Sequence, residues 1–86
     1  MPVISKFCGI VICMLFSRPM AAHFHAIYGE AELVVGLWPL KVLQGDAPPS
    51  VRQMVLDWAT QHQQELLSDW NRCGFRLPLL PIAPLQ

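Results

Sequence analysis

The chain has 86 residues and no net formal charge, with 53% hydrophobic and only 14% charged residues. This length accommodates one small domain, which buries roughly 60–65% of its unfolded surface. The zero net charge excludes a global electrostatic attraction to nucleic acid or to anionic lipid. Because so few charges cannot cover a small domain, we expect an exposed apolar patch and a homo-oligomer or a small protein partner.

The first predicted element is a buried strand in the apolar segment 7–16. Lys6 followed by this segment imitates a signal peptide, but Pro19 or Met20 would then occupy a cleavage position that requires a small residue. Ten residues are also too few to span a bilayer as a helix. The three cysteines are odd in number and include no CxxC pair, which favours a reducing compartment. We therefore predict a cytoplasmic protein without a membrane association.

Three more strands are predicted in the first half of the chain. Residues 23–28, 31–37 and 40–44 are rich in apolar and β-branched side chains and are separated by short turns with Gly or Pro. Short strands joined by short connections indicate an antiparallel meander. The sequence therefore predicts about four strands within about residues 7–44.

One long helix is predicted over about residues 49–72. Ser50 with Gln53 matches a capping box, although Pro48 or Pro49 could equally occupy the first helical turn. Gly74 is a typical stop signal. The tail 77–86 is rich in proline and is predicted to be an extended strap over apolar surface. The fold class is therefore α+β, a single small domain spanning residues 1–86, with a meander of about four strands packed by one long C-terminal helix.

The most informative short motif is His23-Phe24-His25, which places two of the three histidines on one face of a strand. His62 lies on the apolar stripe of the predicted helix, so the three imidazoles converge if the helix packs over that face. Two of them could act as general acid and base on a ribose 2′-hydroxyl without a cofactor, or all three could hold a divalent metal. Glu30 and Glu65 are candidates for orienting the rings. The alternative is a hydrogen-bonded core histidine at position 62 and a polar surface at positions 23 and 25.

Motifs along nearly the whole chain resemble a small bacterial family known as domain of unknown function 4160. They combine an apolar N-terminal segment, two polar strand motifs, an aromatic helix pattern and a Pro-rich tail. In chain order they are MPxIS, Phe7, Gly9-Ile10-Val11-Ile12, Met14, Phe16, His23-Phe24-His25-Ala26, Tyr28-Gly29-Glu30, Leu33, Val55-Leu56, Trp58-Ala59, His62, Glu65-Leu66-Leu67, Trp70, Pro78-Leu79, Ile82 and Pro84-Leu85. Each motif alone is weak, but the ordered set is specific.

The resemblance implies a single α+β domain encoded beside another small protein, in an arrangement similar to toxin–antitoxin operons. We therefore predict a toxin-like protein with an antitoxin-like partner, acting on RNA through the histidine cluster. The alternative is a non-catalytic protein-binding module. The chain departs from the family pattern at Cys8, where an aromatic residue is usual, at Cys13, where a basic residue is usual, and at residues 17–22, where the family has Asn-Asp-His-x-Pro-Pro. A loop histidine and a strand basic residue of the family pattern are therefore missing from this chain.

Overall fold

The computed structural model describes residues 2–16 and 21–85. In these residues the chain forms an α+β fold with one antiparallel sheet of five strands, in the order β1-β2-β3-β4-β5, and two helices. The strands are β1 (Val3–Phe7), β2 (Ile10–Cys13), β3 (His23–Tyr28), β4 (Ala31–Leu37) and β5 (Leu40–Asp46), and the helices are α1 (Pro49–Gln61) and α2 (Gln63–Gly74). The departure from the family pattern at residues 17–20 lies outside the described residues.

The α+β class and the antiparallel meander are confirmed, but the prediction of four strands is wrong by one. The apolar segment 7–16 is not a single strand, because Cys8 and Gly9 turn the chain with φ angles of 51° and 76°. Phe7 then pairs with Ile10 across this two-residue turn, which is the geometry of a tight β-hairpin. Cys8 is apolar and is not a typical turn residue, so only Gly9 indicates this turn in the sequence.

The prediction of one long helix is also wrong in detail, because the helical segment breaks at His62. This residue has φ −121° and ψ 22°, outside helical values, while its N–H still donates to the carbonyl groups of Trp58 and Ala59. Its own carbonyl accepts from the N–H of Leu66 at 2.9 Å, so α2 begins at once. The apolar periodicity of the sequence continues across His62, which is why it does not reveal the break. At the other end, α1 begins at Pro49 with Pro48 as its N-cap and no side-chain capping bond, so the predicted capping box of Ser50 is not formed.

The helices pack on one face of the sheet, which we call the inner face. Trp58 of α1 is fully buried there, with its ring centroid 5.8 Å from that of Phe24 on β3 and 5.4 Å from that of Phe7 on β1. The core consists of strand, helix and tail side chains: Ile4, Phe7, Ile10, Ile12, Met14, Phe24, Ala26, Leu33, Val35, Leu37, Val51, Val55, Trp58, Ala59, Leu66 and Ile82. Successive strand residues alternate in direction, so His23 and His25 belong to the opposite face.

The segment after α2 has no regular secondary structure and returns across the helices to the edge of β1. The N–H of Ile82 donates to the carbonyl of Ile4 at 2.8 Å, and the indole N–H of Trp58 donates to the carbonyl of Ala83 at 2.8 Å. The N–H of Leu80 donates to Oδ1 of Asp69 at 2.9 Å. These bonds hold the tail against both helices and against the edge strand.

Candidate functional site

The face of the sheet opposite the helices carries most of the candidate chemistry, and we call it the outer face. The register places side chains from all five strands on it: Val3, Lys6, Val11, Cys13, His23, His25, Ile27, Glu32, Val34, Gly36, Lys41, Gln44 and Asp46. None of these residues belongs to the core cluster. Four of these residues, Cys13, His23, Val34 and Gly36, are nevertheless buried. The rest of the face is accessible to solvent or to a partner among the described parts of the chain.

A histidine–carboxylate pair lies near the centre of the outer face. Nδ1 of His25 lies 2.8 Å from Oε2 of Glu32, and their side chains are 17% and 48% exposed. His25 pairs with Val34, so Glu32 is its diagonal neighbour on β4 and within reach of a long side chain. Because a carboxylate can only accept, Nδ1 carries the proton in this contact, and Nε2 of a neutral ring is left as a proton acceptor.

His23 occupies the start of β3 and is 1% exposed. Its Nδ1 donates to the carbonyl of Ala21 at 2.9 Å. Its ring centroid lies 5.0 Å from that of Trp70 on α2 and 5.2 Å from that of His25, with an interplanar angle of 70° to His25. The sheet thus places two of the predicted site residues, His23 and His25, next to each other. His23 is buried and packs beside the more accessible His25.

The third histidine lies elsewhere in the fold, at the junction of α1 and α2. Nδ1 of His62 is 2.7 Å from Oε1 of Glu65, with side chains 15% and 54% exposed. The ring of His62 contacts the core through Trp58, at a centroid distance of 5.5 Å. His62 and Glu65 therefore form a second histidine–carboxylate pair. Among the described residues, its contacts differ from those of His23 and His25.

Glu32 is the site residue that sequence reasoning missed. Glu30 is exposed in the turn between β3 and β4, beyond the last paired residues Tyr28 and Ala31. The signal for Glu32 was available, because a two-residue Gly29-Glu30 turn sets Glu32 opposite Ile27 and on the face of His25. Counting register from the turn would have selected Glu32 instead of Glu30.

Metal ligation was the alternative chemistry for the histidines. Within residues 2–16 and 21–85, no group of three or more His, Cys, Asp or Glu side chains could hold a metal ion. Cys13 is the register partner of His25, and burial raises the pKa of its thiol. A protonated thiol is a poor metal ligand and a poor nucleophile.

A cleft of about 330 Å³ lies between α2 and the tail. Its walls are Gln64, Glu65, Ser68 and Asp69 on one side and Leu80, Pro81 and Ile82 on the other. Asp69 is 1% exposed, and burial raises the pKa of its carboxyl group. Its Oδ1 fixes the tail through Leu80, which gives this residue a clear structural role.

These features define a small α+β domain with a meander sheet, one covered face and one face bearing a histidine–carboxylate pair. The model of the family described as "Domain of unknown function (DUF4160)" matches residues 9–71, well over half of the chain. The chain belongs to this family. No curated protein and no solved structure matches the chain. No helix in the described ranges has the length and apolar character needed to cross a membrane.

Proposed function

We propose that this protein is the toxin-like component of a bacterial toxin–antitoxin module and acts on RNA, with His25 as general base. The His25–Glu32 pair on the outer face of the sheet supports this proposal. The resemblance of the family's gene arrangement to toxin–antitoxin operons supports the proposed biological role.

The reaction is the attack of a ribose 2′-oxygen on the adjacent phosphorus. Nε2 of His25 takes the proton of the 2′-hydroxyl while the new O–P bond forms and the bond to the 5′-oxygen breaks. Water protonates the leaving 5′-oxygen, and the imidazolium returns its proton to the hydroxide that remains. The products are a 2′,3′-cyclic phosphate and a 5′-hydroxyl end. Glu32 is a positioning residue, because it holds the ring through Nδ1 and stabilises the imidazolium that forms.

The experiment is induced expression in bacteria of the wild type and of the variants His25→Ala and Glu32→Gln. We expect growth arrest with the wild type and its relief by the product of the neighbouring gene. The variants should lose the arrest, because a positioned general base contributes about 10²–10⁴-fold in rate. Glu30→Gln is the matched control, since Glu30 is an exposed carboxylate of the same hairpin outside the pair.

The second candidate function is a non-catalytic protein-binding module. It is favoured by two large exposed aromatic side chains, Trp38 at 73% and Phe75 at 80%. Such residues are common anchors of protein interfaces. Under this alternative, a folded variant with His23, His25 and His62 all changed to Ala keeps its biological effect, and harmless overexpression of the folded wild type argues against the toxin proposal.

A further inference from the structure

The unpaired charges of the outer face are positive. Its two carboxylates have partners within the chain, because Glu32 binds His25 and Asp46 binds the guanidinium of Arg52 and the N–H of Ala47. Lys6 and Lys41 have no ion pair among the residues that the structure describes. The face therefore offers two free cations to an external ligand, although the whole chain has no net charge.

The two lysines lie at opposite corners of the sheet, with His25 midway between them. Lys6 is on the edge strand β1, in the lateral row that runs through Val11 and Ile27. Lys41 is on the other edge strand, β5, in the row that runs through Gly36 and His23. With strands about 4.8 Å apart and residues about 3.4 Å apart along a strand, the Cα atoms of the lysines are roughly 24 Å apart and each is roughly 12 Å from that of His25.

We propose that single-stranded RNA crosses the outer face along this diagonal, with backbone phosphates at Lys6 and Lys41 and the reacting ribose at His25. This inference rests on the proposed function and names its substrate class. The span matches the shortest single-strand sites, which take about four nucleotides. Each lysine supplies a point charge for a phosphate, and neither reads sequence.

The surface between the lysines favours unstacked bases. Val11 and Ile27 are half-buried, and Leu43 is 38% exposed with its side chain over Gly36. Apolar side chains and the His25 ring can pack against base faces, which a duplex keeps in its interior. The outer face of a second copy is a poorer occupant, because its two carboxylates, Glu32 and Asp46, are already bound by His25 and Arg52.

The test is the salt dependence of RNA binding, measured by fluorescence anisotropy. The probe is a labelled single strand of about eight nucleotides with 2′-O-methyl groups, which prevents cleavage. For single strands, the slope of log affinity against log salt changes by about 0.7 for each phosphate contact. We expect Lys6→Gln and Lys41→Gln each to reduce the slope by about 0.7, and the double variant by about 1.4.

Arg76→Gln is the matched control, because Arg76 is an exposed cation in the segment after α2 and not on the outer face. Three results would overturn the RNA path. They are a slope that is unchanged in both lysine variants, a change in slope equal to that caused by Arg76→Gln, and no binding of the probe by the wild type. Binding of a duplex of the same sequence as tightly as the single strand would also contradict it.

The outcome separates this inference from the proposed function. Lysine-dependent binding with no cleavage of unmodified RNA supports the path and contradicts the proposed reaction. The opposite result is growth arrest that requires His25 and Glu32, with RNA binding that is unchanged when both lysines are replaced. This result supports the proposed reaction and overturns the RNA path.

Discussion

The two histidine–carboxylate pairs are alike in local geometry and different in their surroundings. His25–Glu32 and His62–Glu65 have contacts of 2.8 Å and 2.7 Å, and their histidine side chains are 17% and 15% exposed. The first pair is set by strand register on the outer face, beside His23 and between two lysines that have no ion pair among the described residues. The second is set by a break between helices and packs on Trp58 of the core. The comparison teaches that the contact alone does not define a site, since the neighbouring charges and the space for a ligand differ.

The largest expected effect separates the two pairs by activity. His25→Ala should reduce RNA cleavage about 10²–10⁴-fold, whereas His62→Ala should leave the rate of the folded protein within a few-fold of the wild type. The reason is that only the first pair lies on the face with the free lysines. Single-turnover cleavage of a labelled RNA measures both variants.

The controls are Glu32→Gln and Glu65→Gln, which keep shape while removing charge. Equal losses of cleavage rate in the two histidine variants would show that the two pairs act together, as the sequence predicts. They would contradict the assignment of activity to the His25–Glu32 pair alone. A cleavage rate that depends on His62 alone would indicate that the active site lies at the junction of the two helices.

The sequence predicted the α+β class of the fold and one member of the first pair, His25. Alternation along His23-Phe24-His25 correctly placed the two histidines on one face, because strand periodicity is strictly local. Glu32 required the register of β4 against β3, and the helix break at His62 has no turn residue to mark it. What the sequence could not provide was which face of the sheet the helices cover. That choice places His25 on the outer face, and it depends on the packing of Phe24 and Trp58.

The next effect concerns the backbone that holds Glu32. Gly45 has a φ angle of 87°, and a Cβ there would overlap the carbonyl oxygen of Glu32. Gly45→Ala should therefore lower the free energy of unfolding by about 3 kcal/mol, from the left-handed conformation and the displaced strand together. Urea unfolding followed by circular dichroism measures this loss.

Gly29→Ala is the matched variant, because Gly29 has a φ angle of 59° with no atom within 4 Å of an added Cβ. It should cost only about 1 kcal/mol, from conformation alone. Equal losses in the two variants would mean that the overlap with the carbonyl of Glu32 adds nothing to the cost of a side chain at Gly45.

The smallest effect belongs to the helix layer and concerns the pH dependence of stability. Burial raises the pKa of Asp69 above its ordinary value of 3.8. The folded protein therefore binds more protons than the unfolded chain between these two pKa values, and stability falls as the pH rises through the folded-state pKa. Asp69→Asn should remove this dependence, because the amide is neutral at every pH and its carbonyl oxygen can still accept from the N–H of Leu80. Thermal unfolding from pH 4 to pH 8 measures the change, and Asp57→Asn on the exposed side of α1 is the control. A wild-type stability that does not fall with rising pH in this window, or a fall that Asp69→Asn leaves unchanged, would contradict the raised pKa of Asp69.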